Sequence, residues 1–336
     1  MDIPTKTTPG SAQDQAWQRQ VINFLGEQGF IVIFFLWAVY LTFNTDNFAT
    51  TENLFTILRQ ATIIGIAAIG AHFVILMGDL DLSAASLISL AGVVMGEAMI
   101  NHGYAPILAA LAALIVGAVI GMVNGLIITK LKINAIIATL GTSSILSGIA
   151  FTITQGKTIF GERGNDPIDS IEFLSRDRVL WDQVPVPVII LFVCYVAAFI
   201  VLRRTMYGAR VFAVGNNERA AWLSGINVDR VRIATFTLSG VLAGFAGIMQ
   251  VARQGTATAG MGANFLFPIL TAVVLGGASL TGGRGKVFNT LIAAIFLTSI
   301  NNGMILLGID IYTQNIVSGV ILVVALSLDR LRALQL

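Results

Sequence analysis

Long apolar stretches separated by short polar segments dominate the chain from residue 29 onward. A helix needs about 20 mostly apolar residues to cross the hydrocarbon layer of a bilayer. Ten stretches approach that length, at 29–43, 57–77, 84–100, 106–129, 134–154, 186–202, 231–252, 265–276, 287–307 and 312–328. The pattern predicts an all-α integral membrane protein with about ten transmembrane helices. The short eighth stretch is either a full crossing or a re-entrant, broken segment.

The polar segments divide the chain into a single membrane domain at 29–330, an N-terminal segment at 1–28 and a tail at 331–336. Two connections are long: an acidic outer loop at 155–185 and an inner loop at 203–230. The outer loop either receives a soluble partner or only connects its helices. Apolar residues of the N-terminal segment recur at helical spacing, namely Trp17, Val21, Ile22, Phe24 and Leu25. They fit a helix on the membrane surface, and a disordered tail equally well.

Composition supports the membrane assignment and excludes several functions. Apolar residues make up 56% of the chain and charged residues 11%, with a mean hydropathy of +0.83. Soluble domains carry about 25% charged residues. The single cysteine, Cys194, and the two histidines, His72 and His102, exclude a disulfide framework and a metal centre built from several His or Cys ligands. A net charge of +2 is too small to indicate nucleic-acid binding.

Basic residues indicate how the ten stretches are oriented. With a cytoplasmic N-terminus and every stretch crossing, only six of the 20 Lys and Arg residues lie outside: Arg59, Lys157, Arg163, Arg176, Arg178 and Arg253. Membrane proteins concentrate Lys and Arg in their cytoplasmic loops. We therefore predict that both termini and the turn around Lys132 face the cytoplasm.

Glycines spaced four residues apart recur within the apolar stretches. Ridges of small residues let helix backbones approach closely inside a membrane, where lipid gives no hydrophobic drive to association. We expect close helix contacts at Gly92, Gly96, Gly117, Gly121, Gly125, Gly240 and Gly244. Ridges of this kind indicate packing rather than a binding site. No internal repeat is evident along the chain.

Polar side chains are concentrated between the second and third stretches, in the run Gly78-Asp79-Leu80-Asp81-Leu82-Ser83. A carboxylate in or near the hydrocarbon is costly and is kept for function or for pairing. Asp81 and Ser83 are therefore candidates for the wall of a polar path across the membrane, and Thr139 and Asn302 are further candidates. Asp81 and Ser83 also fit the N-terminal cap of the third helix, a role that does not exclude lining a path.

A short helix is predicted within the inner loop, over 217–224. Asn216 or Asn217 suits its N-cap, Glu218 its first turn and Gly225 the position just past its end. The whole segment reads Asn217, Glu218, Arg219, Ala220, Ala221, Trp222, Leu223, Ser224 and Gly225. Trp222 and Leu223 have no obvious partner in the chain. The helix therefore either docks in a groove of another protein or rests on the inner membrane surface.

No catalytic or nucleotide-binding pattern emerges. The glycine-rich run 276–286 lacks the first glycine and the Ser or Thr of a phosphate-binding loop, because Leu280 and Val287 stand there. No Ser/His/Asp set or pair of catalytic carboxylates is evident, so an enzyme acting alone is not expected. A self-contained carrier or channel remains the alternative to a transport subunit driven by another protein. Carriers hold several intramembrane ionisable groups, and only Glu97 and Asp81 qualify, which favours the driven subunit.

Several short motifs of the chain occur together in one known family. They are Asp81-Leu82-Ser83, Asn124-Gly125-Leu126, Ile137-Ala138-Thr139-Leu140-Gly141-Thr142, Gly208, Val214-Gly215-Asn216, Leu223-Ser224-Gly225-Ile226-Asn227-Val228, Gly276-Gly277-Ala278-Ser279-Leu280-Thr281-Gly282-Gly283, Asn302-Gly303, Leu306-Leu307-Gly308 and Gln314. With them the chain resembles, from about Asn44 to Asp329, the bacterial ATP-binding-cassette importer permeases of the ribose, xylose, arabinose and galactose class.

The resemblance implies a permease of the bacterial inner membrane that moves a neutral monosaccharide or similar polyol inward by alternating access. It implies three partners: a second copy or a related permease, a cytoplasmic ATPase subunit and a periplasmic solute-binding protein. ATP and Mg²⁺ are expected on the ATPase, with no cofactor and no nucleic acid on this chain. The helix at 217–224 resembles the coupling helix by which such permeases dock on the ATPase.

One motif departs from the family's usual pattern, which is Gly-x-Asp-Leu-Ser-x-Gly-Ser. Here it reads Asp79-Leu80-Asp81-Leu82-Ser83-Ala84-Ala85-Ser86. Asp79 replaces the first glycine and Ala85 the second, so we expect a stiffer and more acidic entrance to the third helix. The departure leaves the solute open. Branched-chain amino-acid permeases are related more distantly and lack the Asp-Leu-Ser signature, so such a solute is the alternative.

Overall fold

The computed structural model describes residues 32–160, 167–175, 177–179 and 184–335. These residues form twelve α-helices: α1 (Val32–Asn44), α2 (Thr51–Leu76), α3 (Ala84–Ile100), α4 (Pro106–Lys130), α5 (Ala135–Thr154), α6 (Val186–Arg204), α7 (Met206–Asn216), α8 (Glu218–Leu223), α9 (Val228–Gln254), α10 (Leu266–Leu275), α11 (Val287–Leu306) and α12 (Ile311–Gln335). All except α7 and α8 coincide with the predicted apolar stretches. The predicted surface helix around Trp17 lies outside the described residues.

Six of the helices, α2, α4, α5, α6, α9 and α11, are long and apolar enough to cross a membrane. The described residues thus have the architecture of an all-α membrane protein. Strand structure in them is limited to β1 (Arg178–Val179), which pairs antiparallel with β2 (Val184–Pro185) in the loop before α6. A 3-10 helix, Pro167–Leu174, precedes this pair.

Bonds between the helix ends fall into two groups. Those at one end join segments predicted to lie inside: Lys130 with Asp229, Asp79 with Arg232, and Leu76 with Gly283. Those at the other end join segments predicted to lie outside: Glu52 with Arg178, Ile159 with Ala257, and Ala252 with Ser175. The two groups lie at opposite ends of the same helices, such as α2 and α9.

Helices α9–α12 are arranged in the same way as helices α2–α5, and each group of four packs on the first helix of the other. Helices α2 and α9 lie antiparallel, since Gly70 contacts Ser239 while Val74 and Phe236 belong to one apolar cluster. Helices α3 and α4 pack on α9, as α10 and α11 pack on α2, and α5 packs on α3 as α12 packs on α10. Inverted repeats of this kind are common in transporters, whose solute sites lie at the interface between the repeats.

The glycine ridges of α4 and α9 face each other. A Cβ on Gly117 would collide with the carbonyl of Gly240, and a Cβ on Gly240 with that of Gly117. Gly121 lies against the carbonyl of Phe236, and an added Cβ at Gly125 would lie 2.7 Å from the Cα of Ile233. Gly244 continues the contact toward Ala113. Only glycine allows the two backbones to approach this closely.

Two of the helices begin inside the helix bundle, after non-helical runs. We call these runs the inner interruption (78–83) and the outer interruption (255–262), after the sides of the membrane predicted for them from the sequence. The inner interruption precedes α3, and its Asp81 bonds Ser239, which lies about 16 Å along α9 from Val228. The outer interruption precedes α10, a helix of 10 residues and therefore about 15 Å, half the hydrocarbon thickness. The N–H of Gly262 donates to the hydroxyl of Ser89 on α3 at 2.9 Å.

Candidate functional site

The carboxylate of Asp81 is buried at the inner interruption, with 3% of the residue exposed. Its Oδ1 accepts hydrogen bonds from the N–H of Ser83 at 3.0 Å and from the hydroxyl of Ser83 at 2.6 Å. Its Oδ2 accepts from the hydroxyl of Ser239 on α9 at 2.9 Å. Hydrogen bonds to an ionised acceptor are the strong ones, and three of them stabilise this group away from water.

A chain of polar side chains extends from Ser83 into two further helices. The Nδ2 of Asn124 on α4 donates to the hydroxyl of Ser83 at 2.9 Å, and the hydroxyl of Thr142 on α5 donates to the Oδ1 of Asn124 at 2.7 Å. The hydroxyl of Thr139 accepts from the N–H of Leu82 at 3.1 Å. The network therefore ties the inner interruption to α4, α5 and α9.

The structure brings together three of the four side chains predicted to line a path. Asp81, Ser83 and Thr139 belong to the network, whereas Asn302 lies toward the outer end of α2 and exchanges two amide hydrogen bonds of 2.9 Å with Asn53. All four residues are buried, with at most 5% exposed. None of them faces open space in this conformation, so their place on the path stays a prediction.

The capping interpretation is wrong for Ser83. Ser83 occupies the N-cap position of α3, but its side chain makes no capping hydrogen bond. The hydroxyl donates to Asp81 instead. Asp81 accepts the N–H of Ser83, which precedes the first turn of α3, so Asp81 stabilises the turn that leads into the helix.

Three members of the network, Asn124, Thr142 and Ser239, were not singled out as site residues from the sequence. An asparagine within an apolar stretch was a usable signal, because an amide in hydrocarbon needs partners. Ser239 directly precedes Gly240, and its place beside this glycine ridge pointed to helix packing rather than to the site. Its role depends on which face α9 turns toward the inner interruption, and that follows only from the packing of α2, α3 and α4 around α9.

The exposed face of α5 mixes large apolar side chains, such as Ile137 and Ile145, with hydroxyl groups and glycines. Ser144 and Thr152 are exposed, and a Cβ added at Gly141 or Gly148 would meet no atom within 4 Å. Behind this face, the hydroxyls of Ser143 and Ser147 lie 2.7 and 3.1 Å from that of Ser86 on α3. The hydroxyls of Ser144 and Thr152 donate to carbonyls of their own helix, those of Leu140 and Gly148.

The predicted short helix of the inner loop is present as α8. The side chain of its N-cap, Asn217, accepts the N–H of Ala220 at 2.9 Å, and Gly225 follows the helix with a φ of +83°. Trp222 and Leu223 are 58% and 69% exposed. Trp222 is not entirely without a partner, because the guanidinium carbon of Arg219 lies 5.2 Å from the centre of its ring.

Helix α7 was missed in the sequence, where Gly208 and Gly215 weaken the helical pattern. Both glycines are required by close packing. An added Cβ on Gly215 would collide with the carbonyl of Leu76 and would lie 2.7 Å from the backbone nitrogen of Gly283. The segment just before α8 thus fits directly against the end of α2 and the turn between α10 and α11.

A cavity of about 230 Å³ lies at the opposite end, between α2, α9, the start of α6 and the loop before it, and is lined in part by Ile63, Pro187 and Met249. Its walls carry two guanidinium groups, those of Arg59 and Arg253, together with Thr56, Gln60 and Ser175. Among the described residues, no group of three His, Cys, Asp or Glu side chains is placed to hold a metal ion.

Comparison with known proteins identifies relatives along almost the whole chain. The chain is 38% identical to the ribose import permease protein RbsC of Escherichia coli over 303 residues, which is 90% of this chain and 93% of the relative. It is 36% identical to the RbsC of Bacillus subtilis over 88% of this chain and 90% of that one. It is 30% identical to the L-arabinose ABC transporter permease protein AraH of Azospirillum brasilense over 97% of this chain and 93% of the relative.

No solved structure matches this chain. Residues 53–326 match the family described as branched-chain amino acid transport system / permease component. This range contains both interruptions, the network around Asp81 and the capped helix α8. The match covers most of the chain, and the chain therefore belongs to this family of transport-system permease components.

Proposed function

We propose that this protein is the membrane subunit of an ATP-binding-cassette importer in the bacterial inner membrane, moving a monosaccharide or similar polyol inward. A separate cytoplasmic ATPase, which uses ATP and Mg²⁺, supplies the energy, and a periplasmic binding protein delivers the solute. The permease itself binds no cofactor and catalyses no reaction. Family membership supports the role of permease.

The observation that carries this proposal is the exposed apolar side of α8. Trp222 and Leu223 project from a capped helix at the same end as Lys130 and Asp229, outside the apolar helices. Exposed aromatic and aliphatic side chains on a rigid helix are typical of a protein contact. An ATPase groove is the occupant expected in an importer that contains no nucleotide-binding sequence of its own. Attachment of Trp222 to the lipid headgroups is the competing interpretation.

We infer ten crossings of one membrane domain at 29–330, with both termini in the cytoplasm. The two groups of bonds between helix ends support this topology, because successive connections lie at opposite ends of the helices. Helix α10 is too short to cross alone and completes a crossing only together with the outer interruption. A single cysteine placed at position 132, in a background with Cys194 replaced, is expected to react with an impermeant maleimide only after the cytoplasmic side is opened. Labelling of intact cells at this position would overturn the topology.

We infer that the solute passes along the exposed face of α5, between two permease subunits. The second subunit is an identical copy or a related permease, and either covers the exposed Ser144 and Thr152. Asp81, Ser83 and Thr139 lie directly behind this face and line the path when the inner interruption moves, with Asn302 nearer the outer end. The fully bonded state of these side chains in the structure supports a closed conformation.

The named substrates of the relatives favour a sugar: ribose and L-arabinose for those above, and D-allose for AlsC of Escherichia coli, 30% identical over 90% of each chain. The family's description favours a second candidate, a branched-chain amino acid. The cavity lined by Arg59 and Arg253 supports docking of the binding protein at the outer end. Arg59 is paired with Glu52 at 3.0 Å, so Arg253 is the group that offers positive charge to acidic side chains.

Reconstitution tests the proposal directly. The permease is placed in proteoliposomes with the ATPase and binding protein encoded beside it, and uptake of labelled ribose, arabinose, allose and leucine is measured. We expect uptake of one monosaccharide that requires both partners and ATP. Uptake without the ATPase would indicate a self-contained carrier, and uptake of leucine alone would indicate the second candidate.

A further inference from the structure

A single arginine joins α8 to the inner interruption. Arg232, in the second turn of α9, donates from Nε to the Oδ2 of Asp79 at 2.7 Å and from Nη2 to the Oε2 of Glu218 at 3.1 Å. Asp79 lies in the inner interruption, and Glu218 is the first residue of α8. The planar guanidinium therefore holds two carboxylates that belong to two different elements.

The contact between Arg232 and Asp79 is largely removed from water. The side chains of Arg232 and Asp79 are 14% and 15% exposed. Burial raises the pKa of the Asp79 carboxyl, and the neighbouring Arg232 opposes this shift. Without Arg232, a buried carboxylate would lose its compensating charge and its hydrogen bond, which is the costly way to break such a pair.

Another ion pair at the same end provides a contrast. Lys130 and Asp229 join α4 to α9 at 2.8 Å, but their side chains are 61% and 44% exposed. An exposed pair of this kind contributes little to stability because water and salt screen it. Its bond joins α4 to α9 and includes no residue of α8 or of the inner interruption.

Asp79 is two residues from Asp81, and a displacement of Asp79 therefore reaches the buried network. The backbone from Asp79 through Leu82 is held on both sides, by Arg232 at one point and by Ser83, Ser239 and Thr139 at the next. Backbone packing follows the same route, since a Cβ on Gly282 would lie 2.7 Å from the carbonyl of Gly215 and 2.9 Å from the nitrogen of Gly78. Both connections join the region of α8 to the start of α3.

We propose that Arg232 is a positioning residue that transmits movement of α8 to the inner interruption through the paired contacts with Glu218 and Asp79. The proposal rests on the function proposed above, in which α8 is driven by the ATPase. In this account, Arg232 sets how much solute is moved for each ATP hydrolysed, without contacting the solute or the ATPase groove.

The test compares Arg232→Gln and Arg232→Lys with the wild type in the complete reconstituted transporter. Three quantities are measured: ATPase retained on the permease during purification, ATP hydrolysed, and monosaccharide transported. We expect Arg232→Gln to retain the ATPase and to lower the ratio of monosaccharide to ATP roughly fivefold or more, the lower end of typical coupling between sites. Arg232→Lys keeps the charge and is expected to restore part of the ratio.

Asp229→Asn is the matched control, since it removes the exposed pair at the same end, and we expect its ratio to equal that of the wild type. Asp79→Asn combined with Arg232→Gln should lower the ratio no further than Arg232→Gln alone. A normal ratio in Arg232→Gln, or equal losses of yield and transport with the ratio unchanged, would overturn the proposal. Failure of the proposed function would appear separately, as absence of the ATPase from the wild-type complex.

Discussion

The two interruptions occupy equivalent places in the inverted repeat, yet they are held in different ways. At the inner interruption, hydrogen bonds between side chains connect Asp81 and Ser83 to α4 and α9, and through Asn124 to α5. At the outer interruption, small residues pack against α3, Ala257 pairs with Ile159 through the backbone, and one side chain, Ser89, bonds Gly262. Polar bonding dominates at one, and close steric fit at the other.

The difference indicates a division of roles between the two ends. A fully bonded network has few alternative arrangements, so it transmits displacement as a unit. It lies at the end where α8 is exposed and where Arg232 joins α8 to Asp79. Where small residues pack closely, the two surfaces can separate with less loss of hydrogen bonding, which suits the end at which we propose that a binding protein docks. The predictions below test this contrast.

The largest effect is expected at the α4–α9 contact, which supports both interruptions. Gly121→Leu inserts a side chain where even a Cβ would collide with the carbonyl of Phe236. Overpacking costs about 1–3 kcal/mol where side chains can adjust, and more where backbones must separate. We expect loss of folded protein in size-exclusion chromatography and thermal unfolding. Gly319→Leu on α12, where an added Cβ would meet no atom within 4 Å, is the control, and an assembled, active Gly121→Leu variant would contradict the packing account.

The next effect concerns the outer interruption. A side chain at Gly262 would collide with the carbonyl of Ala85, whereas one at Gly260 would meet no atom within 4 Å. Gly262→Leu is therefore expected to assemble but to lower uptake about tenfold, equivalent to about 1.4 kcal/mol. Gly260→Leu on the same run should transport normally. Equal uptake by the two variants would show that steric fit on α3 is not what holds this run.

At the inner interruption, Asp81→Asn removes the charge but preserves the shape. The oxygen of the new amide can still accept a hydrogen bond, but its NH₂ group would face a hydroxyl that donates to Asp81 in the wild type. The hydrogen bond lost there is one to a charged group, which is worth about 1.5–3 kcal/mol. We expect normal assembly and uptake reduced several-fold or more, with Asp46→Asn in an exposed loop as the control. Normal uptake together with normal ATP turnover would show that Asp81 only stabilises the turn before α3 and does not line the path.

The smallest effect provides the most direct comparison of the two ends, because the same substitution is made once just before α3 and once within it. Ser89→Ala removes one hydrogen bond, to Gly262, worth about 1 kcal/mol. Ser83→Ala removes the donor to Asp81 and the acceptor for Asn124 together. Uptake should fall further for Ser83→Ala than for Ser89→Ala. Equal losses would remove the contrast between the interruptions.

Much of the fold was predictable because transmembrane helices appear in the sequence as long apolar stretches. The ten apolar stretches, the weak eighth one and the cap residues Asn217 and Gly225 all follow from local physics. The inverted repeat was not predictable, since equivalent contacts are made by different residues, such as Asp81 at one interruption and Gly262 at the other. The inverted repeat is therefore evident in how the helices pack and not in the residues that they carry.

The candidate site was predicted only in part. Asp81, Ser83 and Thr139 stood out as polar residues in apolar surroundings, and the structure joins them. Asn302 satisfied the same criterion but pairs with Asn53, because polarity alone does not reveal which partner a buried amide finds. Arg232 was counted only as a basic residue of an inner loop, and its two carboxylate partners lie far away in sequence or across a helix boundary.

The central claim is that α8 is the contact through which the ATPase drives the permease. Trp222 and Leu223 are replaced together by alanine, and the ATPase is co-purified and its solute-stimulated hydrolysis measured. Truncating a buried interface aromatic costs about 2 kcal/mol or more, so we predict a loosened ATPase and hydrolysis uncoupled from uptake, with binding-protein docking intact. Leu131→Ala, at a residue that is 66% exposed at the same end, should have no effect. An ATPase that stays bound and stimulated in the double variant would contradict the account.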